Sequence, residues 1–244
     1  MTLKNNLITS GSGVNVNVGV IAVPVDFIRV GLSLHTPMFY NMEQLNYASL
    51  DFVSDVDGTT KTPTDNVVKY TLQTPLQLNL STAFILDKKG FISAEYVYNN
   101  YKGMKFIPDE YYSFDDENTQ ISDMLQNART IKIGGEYRAT ENVSLRAGYA
   151  NTSNITNSSV AKIFDSASAR TDPEYFAHNS TSYASLGVGY RESNWYVDLA
   201  YVNKLIDEDY FAYNSAKLNS ERKVTAANVK TSSNNVLVTF GIKF

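Results

Sequence analysis

The sequence contains no cysteine. That excludes a disulfide scaffold and any thiolate metal or redox site. It also lacks a long apolar run. The longest stretch free of charged and strongly polar residues, Val18–Val25, falls far short of the roughly 20 residues a membrane-spanning helix needs, and Pro24 interrupts it. Histidine is scarce, with only His35 and His178 present. No nucleophile elbow, His-Glu-x-x-His pair or phosphate-binding loop occurs, so no catalytic constellation and no cofactor are expected. There is no basic excess either: 21 Lys and Arg stand against 25 Asp and Glu, a formal charge of −4. Nucleic acid is therefore not an expected partner. Finally, the segment Met1–Asn6 has no apolar stretch of signal-peptide type. For an exported protein, this reads as a piece whose beginning lies upstream.

What is present is tyrosine, 17 residues of it, with 12 Phe and one Trp. Asn, Ser and Thr fill the polar positions. The strongest pattern is alternation with period two, the mark of a strand with unlike faces. Val14, Val16, Val18, Val20 and Ala22 share one face against Asn15, Asn17 and Gly19. Ile28, Val30, Leu32 and Leu34 oppose Arg29, Gly31, Ser33 and His35. The same reading places strands around Leu76–Ser81, Ile92–Asn99, Ile131–Arg138, Val143–Tyr149, Ser185–Arg191, Trp195–Tyr201 and Val236–Phe244, nine candidates in all. About 9–11 residues suffice for a tilted strand to cross a bilayer.

The connections alternate in length. Short turns fall near Pro24, at Asp87–Gly90, at Thr140–Glu141 and at Glu192–Ser193. Long polar loops are expected at about 41–66, 107–126, 154–179 and 207–228. This rhythm predicts an all-β, antiparallel, up-and-down transmembrane barrel, one domain over residues 1–244, in a bacterial outer membrane with its lipid bilayer as partner. A soluble barrel or sandwich also alternates. Three features favour the membrane: polar faces rich in Gly, Ser and Asn, aromatics at the ends of the apolar faces (Tyr96, Tyr98, Tyr137, Tyr149, Tyr190, Trp195, Tyr201), and every long loop at one end. With short turns in the periplasm, the last strand and Phe244 end there and the long loops are extracellular. Bacterial barrels have even strand numbers, so an odd number of further strands is expected.

Two sets of side chains are candidate sites. The polar faces carry Arg29, Glu95, Lys132, Glu136, Arg138, Arg146, Arg191, Asp198 and Lys243. An arginine fork suits a ligand carboxylate, but a mutual ion-pair network is the reading that best fits a polar lumen. The long loops carry aromatics: Tyr111, Tyr112 and Phe114; Phe164, Tyr175 and Phe176; Tyr210, Phe211 and Tyr213. These are expected either to capture apolar ligands or to pack the loops together. The acidic runs Asp109–Glu110, Asp115–Glu117 and Asp207–Asp209 match no cation-loop motif and read as solvated loop segments, without a metal.

Two resemblances add to this. The segment Asn235–Phe244, NVLVTFGIKF, resembles the C-terminal signal read by the outer-membrane assembly machinery, which implies that machinery as a partner through Phe244. FIRVGLSLHTP (Phe27–Pro37), YTLQTP (Tyr70–Pro75), Leu76–Phe84, FISAEYVY (Phe91–Tyr98), IGGEY (Ile133–Tyr137) and LRAGY (Leu145–Tyr149) form an ordered series. It resembles the long-chain fatty-acid transporter family of FadL and TodX type. That resemblance implies a fourteen-stranded barrel of which these are the last nine strands, with the N-terminal hatch and first five strands outside this sequence. It implies passive uptake of hydrophobic compounds such as long-chain fatty acids. A general small-solute porin and a surface receptor acting through its loops remain the alternatives.

Overall fold

The computed structural model describes residues 2–54, 58–109, 112–157, 174–212 and 225–243. Tyr111, Phe164, Tyr213 and Phe244 lie outside these residues. The chain is built of antiparallel strands: β1 (Thr2–Val14), β2 (Asn17–Val25), β3 (Ile28–His35), β4 (Phe39–Ser54), β5 (Gly58–Gln73), β6 (Gln77–Ile85), β7 (Gly90–Asn99), β8 (Lys105–Pro108), β9 (Ala128–Arg138), β10 (Val143–Thr152), β11 (Tyr175–Arg191), β12 (Trp195–Phe211) and β13 (Ala227–Ile242). Among the described residues an α-helix, α1 (Asp115–Met124), precedes β9.

Nine strands form one sheet in the order β13-β12-β11-β10-β9-β7-β6-β3-β2. They are the nine expected from alternation, each hydrogen-bonded to its neighbours in that series. The four short turns, β2–β3, β6–β7, β9–β10 and β11–β12, lie at one end, and the longer connections lie at the other. Two backbone bonds close the β6–β7 turn. Leu86 N–H donates to Gly90 O at 2.8 Å and Lys89 N–H to Leu86 O at 2.9 Å. Gly90 has φ +146°, and a Cβ there would sit 2.0 Å from Glu136 O, so only glycine fits.

Register keeps the two faces of the sheet distinct. One cross-strand row reads Val25, Ile28, Phe84, Ile92, Gly135, Ala147, Leu186, Tyr201, Val236. A row on the opposite face reads Gly31, Ser81, Glu95, Lys132, Ala150, Tyr183, Lys204, Ser233. The apolar row is not a core. Leu186 is 64% exposed, Ile133 53% and Val238 71%. Among the described residues, only Val97, Ala128, Tyr175 and Ala177 are buried hydrophobics. A soluble sandwich would bury this face against a second layer; among the described residues the sheet is a single layer. Within the described residues, β2 and β13 pair with one neighbour each, so the sheet is an open arc.

The long segment expected as a polar loop at 41–66 is instead a strand pair. β1, β4, β5 and β8 form a second, four-stranded sheet in that order. It extends β2, β3 and β6 beyond the long-connection end of the nine-stranded sheet. The reason is that a ladder needs only paired backbone groups, which Asn, Thr and Gln supply as well as Leu does. An alternation of apolar residues is blind to such a strand.

The join between the sheets changes the faces. Val18 pairs with Leu34, but Val14 pairs with Phe39. Four steps on one strand thus oppose five on the other, with the extra residue at Thr36–Met38. A one-residue shift sends alternate side chains to the opposite face. β5 and β6 make the same change at Thr74–Leu76, since His35 pairs with Gln77 and Phe39 with Gln73. Taking β1 and β2 as reference, Ser10 and Ser12 continue the apolar face of the large sheet, with Asn41, Glu43, Lys69 and Thr71 beside them. Tyr40, Met42, Tyr70, Leu72 and Phe106 then continue its polar face.

Candidate functional site

The polar face of the nine-stranded sheet holds most of the charged residues singled out in the sequence, and it pairs several of them. Arg146 on β10 lies opposite Glu136 on β9, and its Nε donates to Glu136 Oε2 at 2.7 Å. Its Nη1 donates to Asp198 Oδ1 on β12 at 2.5 Å, reaching across β11 above Gly189. Lys132 Nζ meets Glu95 Oε2 at 3.3 Å across the β7–β9 ladder. These side chains are partly exposed, so each pair contributes about 1 kcal/mol or less. Their arrangement is a wall of matched charges.

Other cations are placed differently. Arg29 turns toward the β2–β3 turn, donating to the carbonyl oxygens of Asp26 at 3.0 Å and Ile28 at 3.2 Å. The Arg191 guanidinium lies 5.8 Å from the Tyr196 ring centre, and Lys204 Nζ lies 5.7 Å from that of Tyr183. Arg138 and Lys243 are exposed at the short-turn end. Near the other end a neutral ladder forms, in which Gln77 donates to Asn79, and Asn79 donates to Ser33 and meets His35 Nε2.

Beyond the Thr-Pro steps the surface becomes aromatic. Tyr70, Phe106 and Phe114 form a triad with ring centres 5.3–5.6 Å apart. Tyr40 lies over Gly13, where a Cβ would come within 2.5 Å of its ring, so the missing side chain makes room for the aromatic. Phe114 immediately precedes α1 and holds it against this sheet. Asn118 of α1 adds two bonds to the backbone of Phe106, both at 2.8 Å. Tyr112 is exposed and its hydroxyl donates to Asn66 at 2.7 Å. Phe114 thus packs against Tyr70 and Phe106. Tyr40, Tyr70 and Phe106 were missed in the sequence because the register shift that brings them together is a cross-strand property.

Tyr175, Phe176, Tyr210 and Phe211 were expected in loops; they lie at the ends of β11 and β12. The physical reason is the same backbone ladder, which carries these strands past their apolar alternation. A bulge at His178–Ser180 lets the register continue. Pairing brings the two sequence groups together. Tyr175 stacks on Phe211 at 4.8 Å, and Phe176 lies 5.1 Å from Tyr210. Met124 packs on the buried Tyr175–Ala177 cluster.

The acidic residues here are held by amides. Asp207 accepts from Asn228 at 2.7 Å and Asn179 at 3.3 Å, and Lys230 lies 3.7 Å away. These bonds, Asn228 first, hold its carboxyl below the usual carboxylate range. The Tyr210 hydroxyl donates to Glu174, which raises its pKa. Among the described residues, no cluster of His, Asp and Glu is arranged to hold a metal ion.

No family model and no curated protein matches the sequence. Among solved structures, the chain path is similar to that of the CymD monoaromatic hydrocarbon channel, at 13% identity, covering 93% of this chain and 50% of that one, with a TM-score of 0.46. It is similar to the Pseudomonas putida toluene transporter TodX at 15% identity, covering 94% and 49%, with a TM-score of 0.49. A Pseudomonas aeruginosa FadL homologue shows 12% identity over 95% and 67%, with a TM-score of 0.39. The chain spans about half the length of the first two.

Proposed function

We propose that this chain forms nine strands of the wall of an outer-membrane channel that passes hydrophobic compounds, with the short turns in the periplasm and the long connections outside the cell. One observation carries the reading: a single-layer sheet whose apolar face is exposed across all nine strands, opposite a polar face of paired charges. Water would make that apolar face costly; a bilayer makes it favourable. From Trp195 to Leu205, with Asn203 the one polar residue on that face, ten steps of about 3.3 Å give about 25 Å of height at a tilt of about 40°, the height of an outer-membrane apolar band. Trp195, Tyr190 and Phe240 gather at its short-turn edge, where interfacial aromatics belong. Further strands, and the hatch implied by the resemblance, would complete the barrel between β2 and β13.

The face formed by Tyr40, Met42, Tyr70, Leu72 and Phe106 supports a hydrophobic substrate. It stands at the extracellular mouth on the side that continues the lumen wall, and it offers apolar contact where a porin would keep water. Long-chain fatty acids and aromatic hydrocarbons both suit it. Tyr112, Phe176 and Tyr210 would add exposed aromatic surface nearby, and the Asn235–Phe244 segment would direct assembly.

The test is uptake by cells carrying the complete protein. Entry of a labelled fatty acid or hydrocarbon should fall several-fold in Tyr40→Ser/Phe106→Ser, with surface assembly unchanged. The polar lumen wall supports a second reading, a small-solute pore. Rapid sugar-driven swelling of liposomes, with hydrophobic uptake indifferent to those substitutions, would establish that reading instead.

A further inference from the structure

The apolar face carries an elongated groove. Two adjoining depressions of about 640 Å³ each share Ile92, Gly135, Ala147 and Leu186. The size lies within the roughly 300–1,000 Å³ of small-ligand sites. Gly135 and Ala147 are register partners and form the floor; Ile92 and Leu186 flank them on the neighbouring strands. One depression reaches toward Tyr149 and Tyr201, and the other reaches Leu86 and Phe91 at the β6–β7 turn. That turn continues through Asp87 into Lys88 and Lys89, all exposed. Lys89 O accepts from the Arg138 amide at 2.7 Å, which ties the turn to the end of β9. The other short turns carry Asp26, Glu141 and Glu192, and no lysine. The apolar groove thus ends beside a pair of lysines, with one carboxylate in the same turn.

We propose that this groove binds one phospholipid with an anionic headgroup, its acyl chain lying over Gly135 and Ala147 and its phosphate beside Lys88 and Lys89. The proposal rests on the membrane reading above, which puts the short turns at the periplasmic leaflet. Charge complementarity selects the occupant: a neutral hydrocarbon substrate would fill the groove but leave the lysine pair without a role. A single surface lysine gains about 1 kcal/mol with an anionic lipid, so the pair corresponds to a preference of roughly tenfold or more for an anionic over a zwitterionic lipid.

The experiment uses the complete protein in nanodiscs of mixed phosphatidylglycerol and phosphatidylcholine, released and weighed by native mass spectrometry. Wild type should retain one phosphatidylglycerol with that preference. Lys88→Gln/Lys89→Gln changes only an exposed turn and should bring the preference near one. Ala147→Leu fills the floor and should lose the retained lipid of either kind. Equal retention of the two lipids by wild type, or a preference unchanged in the lysine variant, overturns the proposal. Quenching of Trp195 fluorescence by brominated phosphatidylcholine reports insertion separately. Quenching without lipid preference refutes the lipid site alone, whereas absence of quenching refutes the membrane reading beneath it.

Discussion

Thr36 makes both hydrogen bonds to Val16 where the two sheets join. Its amide donates to Val16 O at 3.0 Å, and its Oγ1 accepts the Val16 amide at 2.9 Å. Thr74 does the same to Met38, at 3.0 and 2.9 Å. Each threonine precedes a proline, which has no N–H to offer the ladder. The hydroxyl supplies the acceptor that the shifted register removes. Replacing Thr36 or Thr74 by Val should cost about 1 kcal/mol. Amide exchange at Val16 or Met38 should quicken about fivefold on that figure, while Thr→Ser at either site should preserve protection. Equal exchange in the Val and Ser variants would show that the hydroxyl is not used.

The faces of the sheet make a sharper prediction. Leu186 lies on the apolar face and Ser185 on the polar one. Leu186→Arg should destabilise the folded barrel in lipid by roughly 2–4 kcal/mol, as charges near the bilayer midplane do. Ser185→Gln should fold nearly as wild type. Urea titrations in phospholipid vesicles measure both, and comparable loss in the two variants would mean that the faces are misassigned.

Arg146 is engaged by Glu136 and Asp198, so its predicted role is in the wall. Arg146→Gln should lower the stability of the assembled barrel by about 1–2 kcal/mol. Uptake of hydrophobic compounds per assembled molecule should remain unchanged. A fall in fatty-acid uptake with hydrocarbon uptake intact would instead make Arg146 a carboxylate ligand.

The pH dependence of the β12–β13 ladder beyond the apolar band follows from Asp207. Its folded pKa is depressed, so the stabilisation is present above the unfolded carboxylate value. It disappears as the pH falls through the lower, folded value. Exchange at the amides around Asn203–Tyr210, corrected for intrinsic rates, should therefore accelerate in acid. Asp207→Asn should flatten that dependence. A variant with the wild-type acid response would assign the effect to another group.

Much of this molecule was legible in its alternation. Val18–Ala22, Leu76–Ser81 and Val236–Ile242 announced strands because side chains on a strand alternate regardless of what lies beside them. The four short turns were equally local, marked by Asp87–Gly90 and Glu192–Ser193. The polar β4–β5 pair was not legible, because its ladder is satisfied by backbone groups that every residue carries. Nor was the stacking of Tyr175 on Phe211, which depends on a bulge at His178–Ser180.

The amino-acid sequence by itself determined which strands have an apolar face and where each turns, since both are properties of neighbours along the chain. Only the tertiary structure decided what those faces adjoin. Register is a relation between residues far apart in sequence, and a single extra residue at each Thr-Pro step exchanges the sides. That exchange turns Tyr40, Tyr70 and Phe106 onto the side of the polar wall, and register likewise brings Arg146 to Asp198, 52 residues away.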